Sequence, residues 1–325
     1  MPQRQQQLTH WLQQRGLRDF RLEPASADAS FRRYFRLRFD DRSLIAMDAP
    51  PEREDSRPFV AAARAFHAFG LNVPQVLDAD LEHGFVLLSD LGSTLYLSAL
   101  AADTVERLYG DALGALVVLQ ACGPGAYQPP PYDEALLRRE MALFGDWYLG
   151  RHRNWPLSAA LDRDLAGIVA LLVTNALEQP RVCVHRDFHS RNLMVTENNN
   201  PGILDFQDAV MGPVTYDLVS LLRDCYIAWP REQVESWVRG YHDLALQSGI
   251  LRQEDEERFV RWFDLMGVQR HLKAIGIFAR LNHRDGKPGY LADIPRTLGY
   301  VTDVSRHYRE LAPLAELGAE LLETA

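Results

Sequence analysis

Lysine is almost missing from this chain: Lys273 and Lys287 are the only two in 325 residues, and every other fixed positive side chain is arginine. Any anion site built from earlier residues must therefore use arginine, a metal ion or backbone N–H groups. Cysteine is also scarce. Cys122, Cys183 and Cys225 show neither a CxxC pair nor metal-ligand spacing, which excludes a disulfide-stapled scaffold and leaves reduced core thiols. Apolar runs stop well short of the ~18 residues of a membrane-spanning helix. The opening MPQRQQQLTHWLQQRG places Leu8, Trp11 and Leu12 at helical spacing without a secretory apolar core, so the expectation is a cytoplasmic protein with no membrane partner. Positive charge is in deficit as well. With 35 basic against 44 acidic residues, net -9, the chain is a poor counterion for nucleic acid and better suited to a small ligand.

What is present is ordinary for a globular protein: 47% hydrophobic and 24% charged residues, enough to exclude a disordered or collagen-like chain. At this length folding buries roughly three-quarters of the extended surface, as one large domain or two lobes.

Residues 31–39 (FRRYFRLRF) alternate apolar and arginine, the period of a half-buried strand. Asp40-Asp41 turns the chain into a second strand at 43–48, which Pro50-Pro51 ends. Residues 58–69 read as a helix with Pro at its start and Gly70 after its end. Residues 73–77 and 85–88 read as two more strands. After Ser93 the pattern is helical, over 103–121, 133–150, 158–178, 213–228, 231–248 and 253–282. One β-rich island interrupts it at 181–206, with strands expected at 182–184, 193–195 and 203–204. Residues 198–200 (NNN) and 129–131 (PPP) are low-complexity spots that read as loops. The expected class is α+β, with a small antiparallel sheet in an N-lobe (1–90) and a mainly helical C-lobe (91–325), joined near 89–92.

Chemistry concentrates in the island. VCVHRDFHSRNLMV contains H-R-D-x-x-x-x-N, with His185, Arg186 and Asp187 ahead of Asn192, and Asp205 follows Asn192 by 13 residues after an apolar strand. Phosphoryl transfer from ATP needs a carboxylate to take the attacking hydroxyl's proton and hard oxygens to hold Mg2+. Asp187 fits the base; Asn192 and Asp205 fit the metal ligands. A metallohydrolase reading of His185 and His189 lacks a further ligand cluster.

On these residues the chain resembles the protein-kinase-like small-molecule kinases, the family of aminoglycoside phosphotransferases and choline kinases. His185 to Asn192 match its catalytic loop, Asp205-Phe206-Gln207 its metal segment, Asp217 its structural aspartate, and Leu88-Ser-Asp-Leu-Gly92 its interlobe hinge, over roughly residues 25–280. The resemblance implies a protein-kinase-like two-lobe fold, ATP and Mg2+ as cofactors, Ser89 and Leu91 at the nucleotide, and a small-molecule substrate. DASFRRYFR, MDAPP and HRDFHSRN together resemble a narrower group, the anomeric N-acetylmuramate/N-acetylglucosamine kinases of cell-wall sugar recycling. That likeness implies transfer to the anomeric hydroxyl, giving the α-1-phosphate, by a cytoplasmic enzyme expected to be a monomer. The alternatives are a kinase for another small alcohol, aminoglycoside or choline-like, and a catalytically silent ATP-binding module.

The sequence departs from the kinase pattern in one respect. No lysine stands on the strand where protein kinases place one, and no glutamate faces it from the helix: Met47 and Phe59 or Val60 occupy those places. Losing both is coherent, because either charge alone would be costly. The turn SADASFRRYFR lacks a glycine-rich phosphate loop, so Arg32 and Arg33 are the candidates for the lost cation, against the plainer reading of solvated edge-strand charges. Glu140, Asp208, Arg223, Asp224 and Arg280 are candidate walls of the acceptor pocket, against helix-surface ion pairs. Trp147, Tyr148, Trp229 and Trp262 are either sugar platforms or core.

Overall fold

The computed structural model describes residues 2–27, 31–253 and 255–324; residues 28–30 of the expected phosphate-facing turn lie outside the described residues. Helix α1 (Pro2–Gln14) precedes strands β1 (Arg21–Ala27), β2 (Arg33–Arg38) and β3 (Ser43–Asp48), helix α2 (Arg57–Ala68) and strands β4 (Val76–Asp80) and β5 (Phe85–Ser89). The strands form one antiparallel sheet in the order β1-β2-β3-β5-β4.

Alternation in this sheet sorts side chains onto two faces. Phe35, Leu37, Ala46, Phe85 and Leu87 pack with Leu8, Trp11 and Leu12 of α1 in a separate small core. Met47, Val86 and Leu88 face the other way, toward α2. Helix α2 starts with Pro at its first turn, ends before Gly70, whose φ of 85° only glycine adopts freely, and buries Phe59, Val60, Ala62, Ala63 and Phe66. Fully burying one of the Phe or Val side chains contributes about 1.5–3 kcal/mol.

The rest is mainly helical. In order come α3 (Tyr96–Ala99), α4 (Val105–Cys122), α5 (Glu134–Leu143) continuing into a π-helix (Phe144–His152), and α6 (Ala159–Glu178). The island follows, with β6 (Arg181–Val184), β7 (Leu193–Met194), β8 (Gly202–Ile203) and β9 (Val210–Pro213) paired β6-β9 and β7-β8. Then come α7 (Tyr216–Leu222), α8 (Arg231–Gln247), α9 (Glu256–Asp285), a 3-10 turn (Pro288–Asp293), α10 (Ile294–Ser305), a short 3-10 turn (Arg309–Leu311) and α11 (Ala312–Glu323). Helix α9 is the axle: Phe259, Trp262, Phe263, Met266, Ile275 and Phe278 are buried along it.

Several elements differ from the sequence expectation. β1 and β9 carry Pro24, Gly212 and Pro213, residues that hide a strand pattern. The fourth strand begins at Val76 rather than 73. The helix expected over 213–228 is only Tyr216–Leu222, because Arg223 leaves helical geometry at φ -120° and ψ 54°. The triple asparagine is more than a loop: Asn199 Nδ2 donates to Gly70 O (2.9 Å), and Asn200 Nδ2 donates to Tyr96 Oη (2.7 Å) and Asp111 Oδ2 (2.8 Å). With Ile203 N donating to Asn72 O (2.8 Å), the Asn199 bond latches the loop after α2 onto the island, while Asn200 ties the island to α3 and α4.

The π-helix is seated by a close approach. Gly276 of α9 lies where a Cβ would come within 2.6 Å of the Leu143 carbonyl oxygen, so no larger residue fits without moving one helix. Gly276→Val is expected to destabilise the protein by about 1–3 kcal/mol through overpacking, read as a lowered Tm. An unchanged Tm would show that α9 and the π-helix can part freely.

Candidate active site

Between the sheet and the island lies a cleft of about 500 Å³. Ile45 of β3, Leu88, Ser89 and Leu91 of the linking strand, Met194 and Leu204 line its apolar end, and Asn192 and Asp205 line its polar end. Flat apolar walls beside a linking segment suit a planar base. Arg36 of β2 fastens that segment: its Nε donates to Asp90 Oδ2 (2.6 Å) and its Nη2 to Asp90 Oδ1 (3.1 Å) and to Gly92 O (2.6 Å).

The loop after β6 is held from beneath. The fully buried Asp217, at the start of α7, accepts the backbone N–H of His185 at Oδ2 (2.6 Å) and of Arg186 at Oδ1 (2.9 Å). Arg186 takes a left-handed backbone, φ 78°, a conformation that costs a non-glycine residue free energy and persists only where neighbours impose it. His185 Nδ1 accepts from Asp187 N (3.3 Å). Burial, partly opposed by Asp187, pushes the His185 imidazole down to about 4, so this histidine is neutral at pH 7 and orients the loop.

Further along, Asn192 N donates to His189 O (2.8 Å), and Asn192 Nδ2 donates to Asp187 O (3.0 Å) and, at longer range, to Asp205 Oδ2 (3.4 Å). Asp205 follows β8 with its own left-handed backbone, φ 63°, and its Oδ1 accepts Gln207 Nε2 at 2.7 Å. The structure thus places Asn192 and Asp205 at the polar end of the cleft, with Asp187, outside the cleft lining, tied to Asn192 through its backbone carbonyl. The Asn192 amide nitrogen is engaged by these groups, leaving its oxygen and the Asp205 carboxylate as hard donors. Two such oxygens, completed by phosphate and water, suit Mg2+, which rarely takes an all-protein cage. Among the described residues no cluster of three His, Cys, Asp or Glu forms a metal site.

Beneath the loop sits a buried charged network. Glu140 of α5 contacts Arg186, the Tyr132 hydroxyl and, at 3.3 Å, Lys273 Nζ, which also donates to Tyr216 Oη at 2.9 Å. Burial raises the Asp187 carboxyl, but the charges of Lys273, His189, Arg270 and Arg186 outweigh it and hold Asp187 below its ordinary range. Glu140 behaves alike: burial raises it, Lys273 and Arg186 prevail, and it lies below its ordinary 4.5.

Other sequence candidates fall elsewhere. Ser89 and Leu91 line the cleft. Arg33 turns to the α1 face and pairs with Asp48, which Arg4 also holds at 2.6 Å. Arg32 pairs with Glu54 at 2.6 Å, its guanidinium 5.9 Å from the Phe59 ring. Arg32 and Arg33 are thus engaged by carboxylates and are not among the cleft-lining residues. Glu140 is under the loop rather than in a pocket wall. Arg223 is buried against Asp264 (2.6 Å) and Phe263, and Asp224 accepts Ser190 N (2.9 Å) and Tyr226 N (3.0 Å), so it anchors the loop. Asp208 is exposed beside Tyr127, and Arg280 lies half-buried near Arg284 and Asp285. Tyr148 and Trp262 are core, Trp229 donates to Tyr109 Oη (3.0 Å), and Trp147 lies under Arg151. The aromatic group beside the loop is instead Tyr226, Phe278 and Tyr290, with Phe278 and Tyr290 stacked at 5.7 Å. It escaped the sequence reading because its members come from three separate elements.

The family model for the phosphotransferase enzyme family matches residues 21–263. A Pseudomonas aeruginosa protein named N-acetylmuramate/N-acetylglucosamine kinase is 51% identical over 304 residues, covering 94% of this chain and 89% of that protein. One of the same name from Neisseria meningitidis serogroup B is 46% identical over 326 residues, covering 98% and 96%. Among solved structures, the ADP-bound aminoglycoside phosphotransferase APH(2'')-Ib superposes with a TM-score of 0.55 at 14% identity, covering 91% of this chain and 97% of that one. It shares the protein-kinase-like fold.

Glu140 is in direct salt-bridge contact with both Arg186 and Lys273. Glu140→Ala removes the salt-bridge partner of two buried cations and is expected to cost about 3–5 kcal/mol, read from denaturant midpoints, with Lys273→Met in the same chain recovering part. Because the folded carboxyl is depressed, its stabilisation is complete above its ordinary 4.5 and lost as pH falls through the folded value. The variant's stability should therefore fall less steeply on acidification than the parent's. Equal midpoints at pH 7 would refute this.

Proposed function

Because the chain belongs to the phosphotransferase enzyme family, we propose that it transfers the γ-phosphoryl group of ATP to the anomeric hydroxyl of N-acetylmuramate and N-acetylglucosamine, giving the α-1-phosphates in cell-wall sugar recycling. The observation that carries this reading is 46–51% identity, across nearly the whole chain, to the proteins of that name. The cleft supports it. ATP places its base between Ile45, Leu88, Met194 and Leu204, beside Ser89 and Leu91, and its phosphates toward Asn192 and Asp205. We assign residues 1–90 and 91–325 as the two lobes that close on it. The protein acts as a cytoplasmic monomer, where ATP is available; among the described residues no helix is long and apolar enough to cross a membrane.

Asn192 and Asp205 would hold Mg2+ through their oxygens, and the bound ion supplies charge neutralisation on the transferring phosphates. Asp187, ionised at neutral pH, accepts the anomeric hydroxyl proton as that oxygen bonds to the γ-phosphorus and the bond to ADP breaks. Asp217, through the backbone of His185 and Arg186, keeps Asp187 aimed at that proton. The ring oxygen makes the anomeric hydroxyl the most acidic of the sugar, so one carboxylate suffices. A quaternary-ammonium acceptor fits less well: Arg191 already covers the Tyr226 face at 3.7 Å, filling the aromatic group beside the loop with a cation.

Asp187→Asn should lower kcat by about 10²- to 10⁴-fold with ATP affinity little changed; near-native turnover would remove Asp187 from the reaction. Regiochemistry gives a separate test under ATP and Mg2+. A methyl glycoside of N-acetylglucosamine should be inert, and the 6-deoxy sugar should be phosphorylated. Turnover of the glycoside with silence from the 6-deoxy sugar would place the transfer at O6.

A further inference from the structure

A triphosphate brought to this cleft meets few fixed cations. Lys273 lies behind the loop against Glu140 (3.3 Å), Arg33 faces α1, and Arg32 is paired with Glu54. Two arginines line the cleft itself, Arg36 and Arg191. Arg36 is committed to Asp90 and Gly92 O by three hydrogen bonds. Arg191 stands differently. It sits in the loop between Asp187 and Asn192, its side chain is 40% exposed, and its guanidinium lies 3.7 Å from the Tyr226 ring centroid and 5.8 Å from that of Tyr290. The carboxylate near it is Asp293 at 3.9 Å, and Asp293 is held more closely by Arg296 at 3.1 Å.

We propose that Arg191 is a catalytic residue that supplies the fixed positive charge for the transferring phosphoryl group, doing from the catalytic loop what a lysine does from the sheet of protein kinases. Its chain position puts its backbone between the base and a metal ligand. The Tyr226 platform holds the guanidinium plane without neutralising it, and a planar fork suits two phosphate oxygens at once. No bond to Arg191 forms or breaks. Its N–H groups donate to γ-phosphate oxygens as charge develops while the phosphorus passes from ADP to the acceptor oxygen. This inference rests on ATP as donor but not on which sugar accepts.

The test uses the full chain with Arg191→Met, Arg191→Lys and Arg191→Ala, in two arms. By calorimetry, Arg191→Met should weaken MgATP binding about tenfold relative to adenosine, which carries no phosphate. By steady-state kinetics, Arg191→Met should lower kcat by about 10²- to 10³-fold with both N-acetylglucosamine and N-acetylmuramate, with Arg191→Lys intermediate and added guanidinium ion partly restoring Arg191→Ala. An unchanged ratio of ATP to adenosine affinity together with turnover within threefold of the parent overturns the proposal. So does a loss confined to KM for N-acetylmuramate, which would make Arg191 a reader of the acceptor's carboxylate. Failure of the unaltered protein to phosphorylate either sugar removes only the acceptor reading, because the binding comparison needs no acceptor.

Discussion

Two backbone N–H groups pointing at one buried carboxylate fix the geometry on which this protein depends. Asp217 receives them from His185 and Arg186, and burial alone would push its carboxyl up, to about 7 after those donors have pulled it down. The bonds bend Arg186 into a left-handed conformation that its side chain then helps secure through Glu140. From there the backbone direction into Asp187 is set. The second half of the loop is pinned independently, with Asp224 on Ser190 N and Asn192 folded back onto Asp187 O. Strain in one residue is thus distributed over contacts from α5, α7 and α9.

The sheet and the helical body are coupled by apolar contact where protein kinases use an ion pair. Phe59 of α2 stacks on Phe206, the residue after Asp205, at 5.1 Å, and Phe66 meets the same ring at 5.9 Å. Met47 is fully buried on the same side of the sheet. Aromatic packing needs no desolvated charge and tolerates small shifts, whereas a buried ion pair is costly unless its geometry is nearly ideal. The Asn199–Gly70 bond and the Arg36–Asp90 clamp add direction to that contact.

The motif from His185 to Asn192, and with it the family, was legible in the sequence because these residues lie within eight positions of one another and their spacing is itself the signal. The β2-β3 hairpin was legible for the same reason: alternation is local, and 43–48 is a strand in the structure. The acceptor side was not. Whether Glu140 or Arg223 faces a pocket or the interior depends on the rotation of α5 and on where α7 ends, which tertiary packing sets. Arg32 and Arg33 look alike in sequence, yet one-residue alternation sends one toward Phe59 and the other toward α1. The group of Tyr226, Phe278 and Tyr290 is assembled across 64 residues of chain, and no window of sequence contains it.

The scarcity of lysine also sets how this protein meets covalent reagents. Reagents that capture nucleotide-binding enzymes by acylating a lysine amine beside the phosphates need a nucleophilic nitrogen in the cleft. Here Lys273 is buried against Glu140 and Tyr216 with its pKa raised, and Lys287 follows the end of α9. Guanidinium groups are protonated and inert to acyl transfer at neutral pH. A chemoproteomic survey built on amine acylation would pass over this protein as though its cleft were vacant, and an inhibitor programme would have to find its electrophile's target elsewhere or bind without one.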